Sequence, residues 1–381
     1  MLKVASSRSQ DFAGVTSLPS SGGYAWIRGR GLFGWGDRAR IDAGTGPERF
    51  ERAAAALKRY FAEDPRAIGF ASFTFDDRSD DCSVVVPERL VAIDRPLPIS
   101  DERVDEDRIR YAGSSISELA WLEAVDVAVR RIDRGVLDKV VLARDVNVWS
   151  KSPLDGRVLA ARLARRFPEC YAFIHGDLVG ATPELLVRRA GTTIESQVLA
   201  GTIGRGADRQ ADDALGAELL ASAKDAGEHR LAVESVTEVF GPICSEFEVE
   251  PRPRLLRLEN VQHLATWVRG TLNQPLSALE VAGLLHPTAA VCGTPAQVAM
   301  DAIRELEGME RGRYGGPIGW VDAAGDGEFG IALRCAEVRG KRARLFAGSG
   351  IVTGSLPEEE LEETRLKLRA MQSALEDRWA T

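Results

Sequence analysis

The C-terminal part of the chain brings two carboxylates and a lysine close together in sequence. Glu360, Glu363 and Lys367 stand at i, i+3 and i+7, so a helix in this segment would carry all three on one face. Residues 348–350, Gly-Ser-Gly, lie just upstream and could expose backbone N–H groups to an anion. Such a face could hold a cation and a small carboxylate together, but a solvated helix with a simple Glu–Lys pair has the same spacing.

The composition indicates an ordinary globular protein. The 381 residues are 44% hydrophobic, enough for a large core, and a formal net charge of −8 argues against a nucleic-acid partner. Five widely spaced cysteines without a C-x-x-C pair indicate reduced thiols rather than disulfides or a zinc site. The chain has no secretion signal at its start and no run of about 18 apolar residues, so we expect a cytoplasmic protein without a membrane partner.

Strand-like runs alternate irregularly with helical segments along the chain. Tight turns such as residues 324–327, Ala-Gly-Asp-Gly, join neighbouring runs and favour antiparallel pairing. The sequence therefore predicts the α+β class: a single large domain of antiparallel sheets flanked by helices, rather than a doubly wound parallel sheet. We expect residues 1–115 to be an N-terminal scaffold part of this domain and residues 116–381 to be its catalytic region.

Two local patterns give sharper expectations. A capping box at Ser115 and Glu118 predicts a helix that ends at Gly135 and delivers the chain into a strand over residues 139–148. Residues 29–34 match G-x-G-x-x-G, but turn-forming residues follow where a helix should begin, so we attribute this match to chance. The apolar face of the expected helix consists of Leu119, Leu122, Val125, Val129 and Ile132.

A series of longer motifs follows in fixed order between about residues 138 and 367. They read KVVLAR, TPELLVRR, LAGT, KDAGEH, VQHLAT, LHPTAAV, GPIGW, ALR, AGSGIV and a closing S-x-P-x-x-E-x-x-E-T-x-x-K. Through these motifs the chain resembles the chorismate-utilising enzymes, and among them the isochorismate synthases. The resemblance implies the aminodeoxychorismate-synthase-like fold, chorismate as the substrate and Mg²⁺ as the cofactor.

The resemblance also implies roles for individual residues. Lys139 would be the general base and Glu184 the general acid of a reaction that adds water at ring position 2 and removes the hydroxyl from position 4. Each has an ordinary alternative, because a lysine that opens a strand usually reaches solvent and a glutamate after proline often caps a turn. The metal ligands would be Glu228, Glu360 and Glu363. The substrate-binding residues would be Gly201, Thr202, His263, Ala290, Tyr314, Arg334, Gly348, Ser349, Gly350 and Lys367.

Three positions distinguish the branches of the family. Lys139 stands where ammonia-using members typically carry glutamine, and Ala200 stands where aminodeoxychorismate synthases carry a nucleophilic lysine. We therefore expect water as the nucleophile and no amidotransferase subunit. Ala290 replaces the threonine typical of salicylate synthases, which favours release of isochorismate, although a salicylate synthase remains the alternative. The resemblance suggests a monomer and leaves open whether the product serves menaquinone or siderophore biosynthesis.

One small departure from the family pattern suggests a reactive site. Cys292 follows the expected substrate loop at a position where the family commonly has glycine. A thiol beside that loop would make the enzyme sensitive to thiol reagents, which is a hypothesis that the accessibility of the side chain can test.

Overall fold

The structure is a computed structural model that describes residues 23–93 and 109–376. Both the expected scaffold part, residues 1–115, and the expected catalytic region, residues 116–381, extend outside these described ranges. The division between them stays a prediction. None of the helices in the described ranges is long and apolar enough to cross a bilayer.

The described chain alternates strands and helices. The strands are β1 (Gly23–Arg28), β2 (Arg30–Asp42), β3 (Ile68–Ser72), β4 (Ser83–Ile93), β5 (Ile109–Tyr111), β6 (Lys139–Ser150), β7 (Tyr171–His175), β8 (Leu178–Thr182), β9 (Leu185–Ala190), β10 (Thr193–Gly204), β11 (Cys244–Val249), β12 (Arg254–Arg257), β13 (Val261–Leu272), β14 (Gly293–Thr294), β15 (Pro317–Asp322), β16 (Gly327–Ile331), β17 (Cys335–Arg339) and β18 (Arg342–Ile351). The helices are α1 (Arg49–Glu63), α2 (Glu118–Asp133), α3 (Gly156–Arg166), α4 (Arg209–Ala221), α5 (Ala223–Ile243), α6 (Ala278–Leu285), α7 (Ala296–Leu306) and α8 (Pro357–Glu376).

The strands form one continuous antiparallel ladder. Its order is β12–β13–β10–β9–β16–β15–β3–β4–β2–β1–β7–β8–β17–β18–β6, with β11 also on β13 and with β5 and β14 also on β6. Ala200 on β10 and Val141 on β6 lie far apart along this ladder but line the same cavity, so the sheet folds back on itself. The expected antiparallel α+β architecture is confirmed, and β1 to β4 of the N-terminal part belong to the same ladder as the rest.

A cluster of buried aromatic side chains occupies the space where strands from different parts of the ladder meet. It contains Trp26, Phe70, Phe173, Trp320 and Phe346, all on strands, and burying each large ring removes a large apolar area from water. Two further clusters pack helices against the outer faces of the sheet, with α2 and α5 in one and α3 and α8 in the other. This packing makes the inner strands a rigid support for the side chains between them.

Helix α2 forms as predicted but with a different cap and a rotated apolar face. Ser117, not Ser115, is the N-cap and accepts a hydrogen bond from the backbone N–H of Ala120, while Ser115 donates to Asp145 instead. Leu119 is 66% exposed, because the buried face passes through Trp121 and Ala124. The tertiary contact with Asp145 takes Ser115 out of the capping box, which the local sequence cannot show.

Two strand-rich segments of the chain are each divided by a break. The segment 254–271 turns between β12 and β13, where Leu258 donates a backbone hydrogen bond to Val261. The segment 328–338 breaks between β16 and β17, where Ala332 bonds to Gly316 and Arg334 takes a positive φ of 47°. Arg334 is the only non-glycine residue with positive φ in the described ranges, and such backbone strain is commonly found at functional sites. As expected, the glycines of residues 29–34 form a hairpin and no nucleotide-binding turn.

Gly293 fixes the short strand β14 against the start of β6. Its φ is 143°, and a Cβ there would overlap with the Lys139 carbonyl and lie 2.8 Å from both the Ala299 Cβ and the Val140 Cα. The close pairing of Gly293 with Val140 therefore depends on the missing side chain. Because β6 begins at Lys139, this contact fixes the position of that residue.

We predict that Gly293→Ala lowers the free energy of unfolding by about 2 kcal/mol or more, because the new methyl group meets backbone atoms that cannot rotate away. Urea denaturation measures this change. Gly227→Ala is the matched control, since Gly227 lies in α5 with open space where its Cβ would be, and it should be neutral or slightly stabilising. Equal stability of the two variants would show that β14 tolerates the shift.

Candidate active site

A cavity opens between the ends of β10, β13 and β18 and the segments around residues 290 and 334. Most of the residues predicted from sequence line it, and four do not: Lys139, Ser349, Glu360 and Glu363 lie behind its walls. The predicted residues on the cavity wall are Glu184, Gly201, Thr202, Glu228, His263, Ala290, Tyr314, Arg334, Gly348, Gly350 and Lys367.

Arg334 provides a buried positive charge on this wall. One of its terminal nitrogens lies 3.0 Å from Nε2 of His263, and Nδ1 of His263 lies 3.1 Å from the Gly201 carbonyl. Burial, together with the neighbouring guanidinium, lowers the pKa of His263 well below its usual value, so the neutral ring donates from Nδ1 to Gly201 and accepts from Arg334. The Nε of Arg334 is buried and has no hydrogen-bond partner within the described ranges, which leaves a donor for the carboxylate of a ligand.

Glu184 is suited to hold a proton at neutral pH. It follows Pro183 at the end of β8, is buried, and lies 3.5 Å from the backbone N–H of Leu199. Burial raises the pKa of Glu184 from 4.5 to about 7, against the opposing effects of the Leu199 N–H and the positive charges of Lys139 and Arg334. A cavity-lining carboxyl with this pKa can donate a proton to a leaving group.

Lys139 is fully buried, so the ordinary alternative of a lysine in solvent does not apply. Its ammonium lies 3.0 Å from Oε1 of Glu228 on α5 and forms an ion pair with it. The angles of this contact do not meet the geometry of a hydrogen bond. Glu228 is 13% exposed and stands between Lys139 and the cavity. A Cβ at Gly350 would overlap with Oε1 of Glu228 and lie 3.2 Å from Cε of Lys139, so this glycine makes room for the ion pair.

Residues 348–350 do not form the anion-binding turn that the sequence suggested. They belong to β18 and pair with residues 141–143 of β6, so their backbone groups take part in the ladder. Strand alternation directs Ser349 away from the cavity, and its hydroxyl lies 2.5 Å from Glu360 Oε2 and 2.9 Å from Glu363 Oε1. Ser349 is therefore misassigned as a substrate contact, and the structure places it as a support for the two carboxylates.

The carboxylates of α5 and α8 lie close enough to repel one another. Burial raises the pKa of Glu360, and the charge of Glu363 adds to this shift. Burial likewise raises the pKa of Asp225, with further contributions from Glu228 and Glu363. For Glu363, burial acts in the same direction, but contact with Lys367 outweighs it and lowers the pKa. A cation placed among these groups would relieve the repulsion.

The protein alone does not supply a complete metal site. Within the described ranges, no group of three or more acidic, histidine or cysteine side chains converges closely enough to hold a metal ion. Carboxylate oxygens nevertheless suit a hard cation such as Mg²⁺, which commonly takes one or two protein carboxylates and completes its shell with water and substrate oxygens. Glu228 and Glu363 fit that role, and Glu360 lies beside them through Ser349.

Sequence reasoning missed one charged residue of this cluster. Lys224 on α5 donates to Oε1 of Glu360 on α8 over 2.6 Å, and it precedes Glu228 by one helical turn. Burial opposes the charged form of Lys224, but the contact with Glu360 outweighs it and raises the pKa of the lysine. Its position in the KDAGEH motif could have identified Lys224 as a residue of the site. Its partner Glu360, however, is 136 residues away in sequence.

Another missed pair holds the wall next to Ala290. Arg311 is buried and donates to the carbonyls of Val291 and Val141, each over 2.8 Å, and it pairs with the buried Glu307. Glu307 also accepts the backbone N–H of Ala143, 2.7 Å away. The ion pair therefore joins the loop that carries Ala290 to strand β6, and breaking such a buried pair is strongly destabilising.

The hypothesis of a reagent-sensitive thiol is not supported. Cys292 is fully buried, its Sγ contacts the Ala296 carbonyl at 3.6 Å, and burial raises the pKa of the thiol to about 12. A thiol in this environment is unreactive in the folded protein, because reagents attack the exposed thiolate.

Comparison with known proteins agrees with the fold. The family described as chorismate binding enzyme matches residues 98–376. Isochorismate synthase DhbC of Bacillus subtilis (strain 168) is 37% identical over 341 residues, which cover 86% of this chain and 85% of that protein. The crystal structure of DhbC from Bacillus anthracis superimposes with a TM-score of 0.87 at 33% identity, covering 95% of this chain and 98% of the other. The menaquinone-specific isochorismate synthase MenF from Escherichia coli gives a TM-score of 0.82 at 25% identity, over 96% and 92% of the two chains. By sequence and by fold, the chain belongs to the chorismate-binding enzyme family.

Proposed function

We propose that this protein is an isochorismate synthase that interconverts chorismate and isochorismate. The observation that carries the proposal is that a buried lysine, Lys139, lies behind the wall of the cavity that the buried, proton-holding carboxyl of Glu184 lines, next to the partly unpaired guanidinium of Arg334. The relatives at 33–37% identity support it, since they carry the name isochorismate synthase or DhbC.

The reaction exchanges one hydroxyl position for another on the ring. Lys139, in its neutral amine form, takes a proton from water as the water oxygen bonds to C2, the ring double bonds shift, and the C4–O bond breaks. Glu184 gives its proton to the departing C4 hydroxyl, which leaves as water. Arg334 binds a substrate carboxylate, and the half-buried apolar side chains of Ala290 and Leu333 limit the access of bulk water.

The cofactor of this proposal is Mg²⁺, held by Glu228 and Glu363 with Glu360 beside them. The ion would neutralise an anionic substrate next to acidic side chains and polarise its carboxylate. Glu228 contacts Lys139 in this structure, so turning its carboxylate toward a cation would also separate it from the lysine. Lys367 reaches Glu363 and the Gly348 carbonyl and holds the end of α8 against β18.

The cavity wall supports isochorismate as the final product. Ala290 presents only a methyl group where a hydroxyl could hold the enolpyruvyl side chain for pyruvate elimination. Lys139 and Ala200 likewise support a water-using enzyme without an amidotransferase subunit. Salicylate synthesis remains the alternative that product analysis distinguishes.

We predict that the purified protein converts chorismate to isochorismate, reaches an equilibrium mixture of the two, and loses activity with a chelator until Mg²⁺ is restored. Chromatography of isochorismate, salicylate and pyruvate measures the outcome. Pyruvate in amounts equal to the chorismate consumed would identify a salicylate synthase instead. Activity that survives complete chelation would remove Mg²⁺ from the proposal.

We predict that Lys139→Ala lowers kcat by about a hundredfold or more while the protein still binds chorismate, because only the proton transfer from water is lost. Steady-state kinetics and equilibrium binding separate the two effects. Lys341→Ala, which removes an exposed lysine from the turn between β17 and β18, is the control and should match the unaltered enzyme. Near-normal turnover of the Lys139 variant would refute the role of general base.

We predict that kcat/KM falls as pH rises through about 7, because Glu184 must carry its proton to act and its pKa is about 7. The same raised pKa favours the folded state below the usual value of 4.5, and that contribution is lost as pH rises through about 7. Rate and stability profiles from about pH 5 to 9 test both statements. Glu184→Gln should lose most of the activity together with both pH effects, whereas an unchanged profile in this variant would assign the titration to another group.

A further inference from the structure

Each carboxylate assigned to the metal has a lysine as its direct partner in this structure. These contacts come from different elements and together place three positive charges on the cluster. The pairs are Lys139 with Glu228 at 3.0 Å, Lys224 with Glu360 at 2.6 Å and Lys367 with Glu363.

Lys224 differs from the other two lysines because it has no other task in the site. Lys139 is the proposed base, and Lys367 lines the cavity and bonds to the Gly348 carbonyl. The side chain of Lys224 is 31% exposed and is not part of the cavity wall, and its one hydrogen-bond partner given by the described residues is Glu360. Besides Glu360, the carboxylates of Glu363 and Asp225 act on its charge.

The ammonium of Lys224 therefore lies among the same carboxylates that a divalent cation would neutralise. Glu360 is only 2% exposed and is held on its other oxygen by Ser349, so it cannot turn to solvent when its partner changes. Lys224 has the long stem and the solvent access that would let its ammonium move into water.

We propose that Lys224 is an internal counter-ion that competes with Mg²⁺ for Glu360 and thereby sets the Mg²⁺ concentration that the enzyme needs. This inference rests on the proposed function. The lysine stabilises the carboxylates when no metal is bound, and uptake of the metal displaces it.

Whether removal of Lys224 strengthens or weakens Mg²⁺ binding distinguishes a competing role from a positioning role. Removing a competing positive charge makes the cluster more negative and leaves Glu360 available, so both consequences strengthen metal binding. If Lys224 instead held Glu360 in a geometry that the metal requires, its removal would weaken binding.

Calorimetric titration of the metal-free, full-length protein with Mg²⁺ alone tests the proposal. We expect Lys224→Met to bind Mg²⁺ about tenfold more tightly than the unaltered protein. Lys224→Arg, which keeps the charge, should stay within about twofold of the unaltered protein. Arg230→Met removes a positive charge from the exposed side of the same helix, where Arg230 pairs with Glu234, and should leave the affinity unchanged.

Thermal unfolding gives a second readout that does not depend on turnover. Without metal, Lys224→Met should have a lower Tm than the unaltered protein, and saturating Mg²⁺ should raise its Tm by more. If the methionine variant folds poorly, Lys224→Gln removes the charge but keeps a hydrogen-bond donor and gives the same comparison.

The outcomes separate this inference from the proposed function. Equal or weaker Mg²⁺ binding by Lys224→Met, with clear binding by the unaltered protein, would overturn the competition and leave the enzyme assignment intact. Absence of Mg²⁺ binding in the unaltered protein would overturn this inference alone, because the chelation assay tests the cofactor in the presence of chorismate and the isochorismate assay tests the reaction itself.

Discussion

The site depends on one physical constraint: every charge buried in its walls needs an opposite charge or a hydrogen-bond partner within reach. Lys139 and Glu228 meet this requirement in each other, and Arg311 and Glu307 do so behind them. Burying such groups creates the low-dielectric surroundings in which Glu184 keeps its proton. The acid Glu184, the base Lys139 and the anion-binding Arg334 can therefore lie close together without neutralising one another, because each of them contacts a different neighbouring group.

The sequence predicted the side chains of the site more fully than it predicted the contacts that hold them in place. Glu184, Arg334 and His263 lie in motifs whose resemblance to the chorismate-utilising enzymes implied a shared site, and the antiparallel sheet followed from short strands and tight turns. On α8, helical periodicity correctly placed Glu360 and Glu363 on one face, since both reach Ser349. Each of these features can be recognised in a short stretch of sequence, which is why it could be predicted.

The parts that the sequence did not predict depend on contacts between distant segments. Asp145 draws Ser115 out of its expected cap, and the two layers of the sheet turn Ser349 away from the cavity. The partners Lys224 and Glu360 lie on different helices, and nothing in either segment identifies the other. The glycines at 348 and 350 were read as a turn, but they are strand residues whose missing side chains leave space for Tyr314 and Glu228.

The pairing of β6 with β18 has a consequence for how the protein is made. Val141 pairs in register with Gly350, so the strand that carries Lys139 leaves the ribosome long before its partner strand exists. Until then its apolar residues lack the neighbours that bury them, and such long-range strand pairing is slow and exposed to aggregation. The nascent chain cannot assemble its catalytic centre until α8 has been synthesised. The central strands therefore stay incompletely buried until the C-terminal part of the chain has been synthesised.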